Sequence, residues 1–182
     1  ETYTASVGNA VSSITVTPTN TQANATITVN GTSVTSGSAS GAISLNVGSN
    51  PITVVVTAQD GTTKTYTVTV TRNSNDATLS SLTLSSGSLS PSFASATETY
   101  TASVANSVTS ITVTPTRTQA NATITVNGTS VTSGSASGAI SLNVGSNPIT
   151  VVVTAQDGTT TKSYTVTVTR AASADATLSA LT

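Results

Sequence analysis

The chain has 182 residues, six acids, five bases and no His, Cys, Met or Trp, with a formal net charge of −1. Without His or Cys there is no imidazole base, no thiolate nucleophile, no ordinary transition-metal site and no disulfide. Five bases cannot make a polycationic surface for nucleic acid or anionic lipid, and no run approaches the roughly 18 apolar residues that a membrane-spanning helix needs.

Seventy-two residues, 42 Thr and 30 Ser, carry an aliphatic hydroxyl. A hydroxyl-rich, weakly charged composition makes an extracellular or cell-surface location the expectation. The missing Met is expected of a processed chain or of an internal piece of a longer one.

Self-similarity dominates the sequence. Glu1–Asp60 aligns without a gap to Glu98–Asp157, and only four of these 60 positions differ: Gly8/Ala105, Ala10/Ser107, Ser12/Thr109 and Asn20/Arg117. One extra Thr enters after Gly158, and the match then runs to Arg72/Arg170. Asp76–Thr83 returns as Asp175–Thr182. A complete unit therefore spans Asp76 to Ala174, the size of an independent domain rather than of a solenoid repeat.

The expected organisation follows. Residues 1–75 are one unit without its opening segment, 76–174 a complete unit, and 175–182 the first residues of another. Two arrangements account for this frame: a window on a longer tandem array, or donation of Asp175–Thr182 to the first unit of a neighbouring molecule. In the second, Ala176, Leu178 and Leu181 are the expected donor-strand residues.

In the complete unit, apolar and polar residues alternate with a period of two, which predicts strands. In chain order these are Leu79–Leu84, Glu98–Val104, Thr109–Thr116, Ala122–Val126, Ala139–Val144, Ile149–Ala155 and Ser163–Thr169. Val, Ile and Thr are β-branched and suit a pleated surface. Asn127-Gly128 and Asp157-Gly158 are hairpin turns, Gly145–Pro148 a third break, and Ser90-Pro91 ends or kinks the early segment. No window carries a helical apolar pattern.

About seven antiparallel strands per unit, with turns between them, indicate an all-β sandwich. Its expected core is Leu79, Leu82, Leu84, Phe93, Tyr100, Val104, Val108, Ile111, Val113, Ile124, Val126, Ile140, Leu142, Val144, Ile149, Val151, Val153, Tyr164, Val166 and Val168. Burying these at about 1.5–3 kcal/mol each is comparable with the entropy of ordering such a unit. Without the opening strand the first unit lacks three of the leucines and has an open edge.

Four stretches together resemble the bacterial cadherin-like β-sandwich domain. They are Ala77–Leu84 with Gly87 and Leu89–Phe93 after it; Glu98-Thr99-Tyr100; Ile149–Gly158; and Tyr164–Arg170. The resemblance covers essentially the whole chain. It implies tandem immunoglobulin-like sandwiches, used as spacers or adhesive modules in long secreted or surface proteins, and it carries over no catalytic residue.

The residue types that could form a site have plain structural roles here. A calcium site needs six to eight oxygens, whereas Asn73–Asp76 holds one carboxylate and its counterpart Ala171–Asp175 loses both Asn, so Asp76 and Asp175 are expected to shape turns. Gly37–Gly41 and Gly134–Gly138 have the outline of a nucleophile elbow, with Ala at the centre and no base. Paired carboxylates for glycoside hydrolysis are lacking. Lys64 and Lys162 follow an exposed turn, which argues against an isopeptide crosslink. The Thr67, Thr69, Thr71 ladder is what an exposed strand face prefers. Asn24, Asn30, Asn121 and Asn127 fit the N-glycosylation pattern and are the candidate glycan attachment points.

No catalytic residue, cofactor or metal is expected. The expected function is structural: a tandem module of an extracellular bacterial stalk or fibre, whose partners are neighbouring copies of the same repeat, joined head to tail. The alternative is an adhesive module recognising a glycan or a host protein.

Overall fold

In the computed structural model, which describes residues 1–177 together with Ala180, the chain divides into Glu1–Ser74 and Asn75–Thr182. All regular structure among the described residues is β.

The first unit contains β1 (Thr2–Val7), β2 (Ser13–Ile14), β3 (Thr26–Val29), β4 (Thr32–Val34), β5 (Ile43–Ser44), β6 (Gly48–Thr57) and β7 (Thr63–Arg72). Its main sheet has the order β1-β7-β6-β3-β4, and β2 pairs with β5. β1 runs parallel to β7, with Tyr3 opposite Val68, and the other pairs are antiparallel. Parallel neighbours cannot be joined by a tight turn, so the chain crosses the other layer between them. Asn30 and Gly31 take φ of 48° and 81°, as a two-residue type I′ hairpin requires. Asn30 further closes the turn on β6, where its Oδ1 accepts the Thr53 N–H at 2.9 Å.

The second unit contains β8 (Leu79–Leu84), β9 (Thr99–Val104), β10 (Ser110–Ile111), β11 (Val113–Arg117), β12 (Thr123–Val126), β13 (Thr129–Ser130), β14 (Ile140–Ser141), β15 (Gly145–Thr154) and β16 (Thr161–Arg170). One layer has the order β13-β12-β15-β16-β9; β11-β8 and β10-β14 make up the other. As in the first unit, one pair (β9 with β16) is parallel.

In the second unit the alternating faces meet in one core. Leu79, Val113, Ile149, Val151, Val153, Tyr164, Val166 and Val168 have no exposed surface, and Leu84, Phe93, Val108 and Ile140 pack against them half-buried.

Three expectations are corrected. The run Thr109–Thr116 is interrupted at Thr112, because β10 pairs with β14 whereas β11 pairs with β8. Thr112 itself exchanges hydrogen bonds with Ser85, N–H to Oγ at 2.9 Å and C=O from N–H at 3.0 Å.

The strand Ala139–Val144 shrinks to β14, and Val144, expected in the core, is 54% exposed. The break falls before Gly145 rather than through Gly145–Pro148, which opens β15. The buried Asn147 side chain organises this turn. Its Nδ2 donates to the carbonyls of Asn143, Gly145 and Val168 at 2.8, 2.8 and 3.1 Å, and its Oδ1 accepts the Asn143 N–H. Backbone groups satisfied by a side chain need no ladder partner, so Val144 is released to solvent.

Leu79 and Leu82 both face the core although residues three apart in a regular strand face opposite ways. A bulge resolves this. Ser81 pairs with Thr116 and Leu79 with Arg117, leaving Ser80 as the extra residue.

Candidate functional site

Residues 15–20 of the first unit form no strand, although Val16–Thr19 has the same sequence as Val113–Thr116 of β11. β11 is held in its ladder by β8, and among the described residues no strand takes that place beside Val16–Thr19. An apolar groove of about 510 Å³ lies there instead, with Tyr3, Pro18, Ile27, Val56, Tyr66 and Val68 among its walls. The matching residues Tyr100, Ile124, Val153, Tyr164 and Val166 are buried against Leu79 and Leu82 in the second unit.

The chemistry of a filled groove can be read in the second unit. The buried Leu79 N–H donates to Tyr164 Oη at 3.0 Å, and that hydroxyl donates to the Ser95 carbonyl at 3.0 Å. Phe93 stacks on Tyr100 with ring centroids 6.0 Å apart and lies tilted against Tyr164 at 6.4 Å. Tyr100 Oη reaches the Ala94 and Thr97 carbonyls at 2.7 and 2.8 Å. Lys162 Nζ donates to the Ser95 carbonyl at 2.9 Å. Every one of these groups meets the opening segment 76–97.

In the first unit the same side chains turn to one another. Tyr3 Oη donates to Glu1 at 2.8 Å, and Lys64 pairs with Glu1 at 2.6 Å. The Lys64 hydrogen bond, then that of Tyr3, holds the Glu1 carboxyl below its usual range. The same Glu1 bond raises Tyr3, and Glu1 raises Lys64. This cluster is exposed and its ion pair contributes little. Lys64 also lies over the Tyr66 ring, 5.1 Å from its centroid.

Of the expected donor-strand residues, Ala176 is exposed, and Leu178 and Leu181 lie outside the described residues. Asn24, Asn30, Asn121 and Asn127 are exposed, at matching places in the two units. Asn24 Nδ2 donates to Gln59 at 3.3 Å, and Asn127 Oδ1 accepts the Thr150 N–H at 2.9 Å. Asp76 and Asp175 each accept two bonds from the Thr two residues on. Among the described residues no three His, Cys, Asp or Glu side chains gather to hold a metal ion, and no helix is long and apolar enough to cross a membrane. The tyrosine hydroxyl that fixes Leu79 was not foreseen; a Tyr inside an otherwise Val-rich face was its only sequence signal, since a buried hydroxyl needs a partner.

The model of the cadherin-like beta sandwich domain matches residues 1–73 and again 79–171. No curated protein matches the chain. Among solved structures, the chain is similar to human CDH23 EC21-23 (14% identity, 93% of this chain, 72% of that one, TM-score 0.45). It is also similar to chicken VE-cadherin EC1-2 (13%, 92% and 97%, TM-score 0.43) and to a protocadherin gammaB7 EC3-6 cis-dimer structure (14%, 93% and 45%, TM-score 0.45), of which it spans under half. The chain belongs, twice over, to the cadherin-like β-sandwich domain family, whose members are typically extracellular adhesion or structural modules and not enzymes.

Proposed function

We propose that the chain is a structural tandem-repeat module of an extracellular bacterial stalk or fibre, in which neighbouring copies join head to tail by strand complementation. The groove of the first unit carries this reading. It pairs an unladdered segment with an apolar floor, and the second unit shows which segment such a floor accepts. Two near-identical units suit a part whose role is to span distance, because length needs no distinct sites. Low charge supports close stacking, since neighbours do not repel.

Sedimentation velocity and electron micrographs of the whole chain test it. Concentration-dependent growth into filaments of regular axial repeat is expected; a monomer at every concentration contradicts it. Under the same reading, the four exposed asparagines are the glycan attachment points. Peptides spanning these asparagines, taken from the native source, should then weigh more than their sequences, and unmodified peptides at all four positions remove the glycans.

A further inference from the structure

We infer that the groove of the first unit binds Asp175–Thr182 of a second copy, and binds it in the one register that β8 adopts on β11. This inference rests on the head-to-tail reading above and fixes its recognition chemistry.

The donor repeats the opening segment with a single change, Ala180 in place of Ser81. It also carries the same turn already formed. Thr177 donates its N–H and its hydroxyl to Asp175 Oδ1 at 2.9 and 2.6 Å, and Thr78 does the same to Asp76 at 2.8 and 2.7 Å. Ala171–Thr177 is exposed, so the turn is accessible before docking. A preformed turn lowers the ordering cost of binding.

The acceptor is equally matched. Thr17–Thr21 repeats Thr114–Thr118 with one change, Asn20 for Arg117. In the second unit the Thr118 N–H donates to the Thr78 carbonyl at 3.0 Å, and the two hydroxyls lie 2.9 Å apart. Thr21 offers the same two contacts to Thr177.

Register follows from the bulge. Leu178 and Leu181 are three apart, as Leu79 and Leu82 are. Both can enter one groove only if Ser179 is the extra residue, which sets Ala180 opposite Thr19 and Leu178 opposite Asn20. Tyr66 then stands where Tyr164 does, with its hydroxyl accepting the Leu178 N–H.

The chain has no Cys, so a pair of introduced thiols reads the register without background. Thr19→Cys with Ala180→Cys in the full chain tests the on-register pair, since Thr116 and Ser81 are partners in the second unit. Thr17→Cys with Ala180→Cys is the off-register control. Under mild oxidation the first pair should give a ladder of intermolecular disulfides on a non-reducing gel, at least tenfold more than the control. Adding Leu181→Asp to the first pair should abolish the ladder without disturbing either unit.

Several outcomes overturn the inference. Equal ladders from the two pairs, or an oligomer by sedimentation that never crosslinks, would leave head-to-tail assembly standing and remove the register. A closed monomer, crosslinked within one chain, would place the donor on its own first unit. A chain that stays monomeric throughout would remove both readings.

Discussion

The two units differ at few positions, yet their interiors differ at many. Tyr164 and Val166 are wholly buried, whereas Tyr66 and Val68 are half-exposed. Tyr100 is 2% exposed and Tyr3 51%. Ala102 is buried and Ala5 lies open. Val113 and Pro115 are buried in a ladder, while Val16 and Pro18 are half-exposed and in no strand. The local sequence at these places is the same, so local propensity cannot be the cause. What separates the units is the opening segment, whose leucines and Phe93 lie against these residues in the second unit. A sandwich face is completed from far along the chain, and a strand keeps its ladder only while its neighbour is present.

The largest effect should come from abolishing the difference. Placing the sequence of residues 76–97 ahead of Glu1 would return two core leucines and the phenylalanine to the first unit. At about 1.5–3 kcal/mol for each buried side chain, its stability should rise by several kcal/mol. In denaturant, an early transition of the first unit should move up to join that of the second. If the first unit unfolds unchanged, the groove is not an unfilled strand site and the comparison fails.

The reverse operation comes next. Leu79→Ala or Leu82→Ala removes a side chain at most 2% exposed and should cost the second unit about 2–5 kcal/mol, read as a shifted denaturation midpoint.

A finer contrast lies in the tyrosines. Tyr164→Phe leaves the Leu79 N–H buried without its acceptor and should cost about 1–3 kcal/mol. Tyr66→Phe, in the unit without that partner, should stay within about 0.5 kcal/mol in the monomer. Equal losses would mean that the hydroxyl acts within its own sheet.

The smallest effect is at the turn before the last strand. Asp157 accepts the Thr159 N–H, the Thr160 N–H and the Thr160 hydroxyl at 3.0, 2.8 and 2.6 Å. The Thr160 hydroxyl bond, then the backbone N–H bonds, lower its pKa from the usual 3.8 to about 2. Asp60 accepts the Thr62 N–H and hydroxyl at 2.9 and 2.7 Å and is lowered by that hydroxyl bond first. A carboxyl whose folded pKa is depressed stabilises above its unfolded pKa and loses that contribution as pH falls through the folded one. The Asp157 contribution should therefore be complete above about pH 4 and fade toward pH 2. Carboxyl carbon NMR shifts should show Asp157 titrating below Asp60, and Thr160→Val should raise it. The reverse order would mean that the inserted Thr does not tighten the turn.

Most of the sandwich was legible because Val, Ile and Thr alternate with a period of two over long runs. The edges of that legibility are physical. Ile140, Leu142 and Val144 alternate as a strand should, but nothing in their spacing announces that the Asn147 side chain takes over the hydrogen bonds of the turn and frees Val144. The Leu79-x-x-Leu82 spacing departs from period two, and only its pairing with β11 explains it as a bulge. The groove was legible for another reason. Comparing the repeats exposes a missing element, and a missing strand in an apolar sandwich leaves an apolar opening. The tyrosine hydroxyl that meets the backbone of the incoming strand was not legible, because alternation marks a side chain as inward without saying what its polar end meets.

Hydrogen exchange of the whole chain, followed as a function of protein concentration, tests the central claim most directly. If a second copy supplies the missing strand, the amides of Thr17, Thr19 and Thr21, which correspond to the Thr114, Thr116 and Thr118 paired with the opening segment in the second unit, should gain protection as concentration rises, those of Thr114, Thr116 and Thr118 should be protected throughout, and Leu181→Asp should erase the dependence. Exchange at Thr17, Thr19 and Thr21 that is the same at every concentration, in both chains, would contradict it.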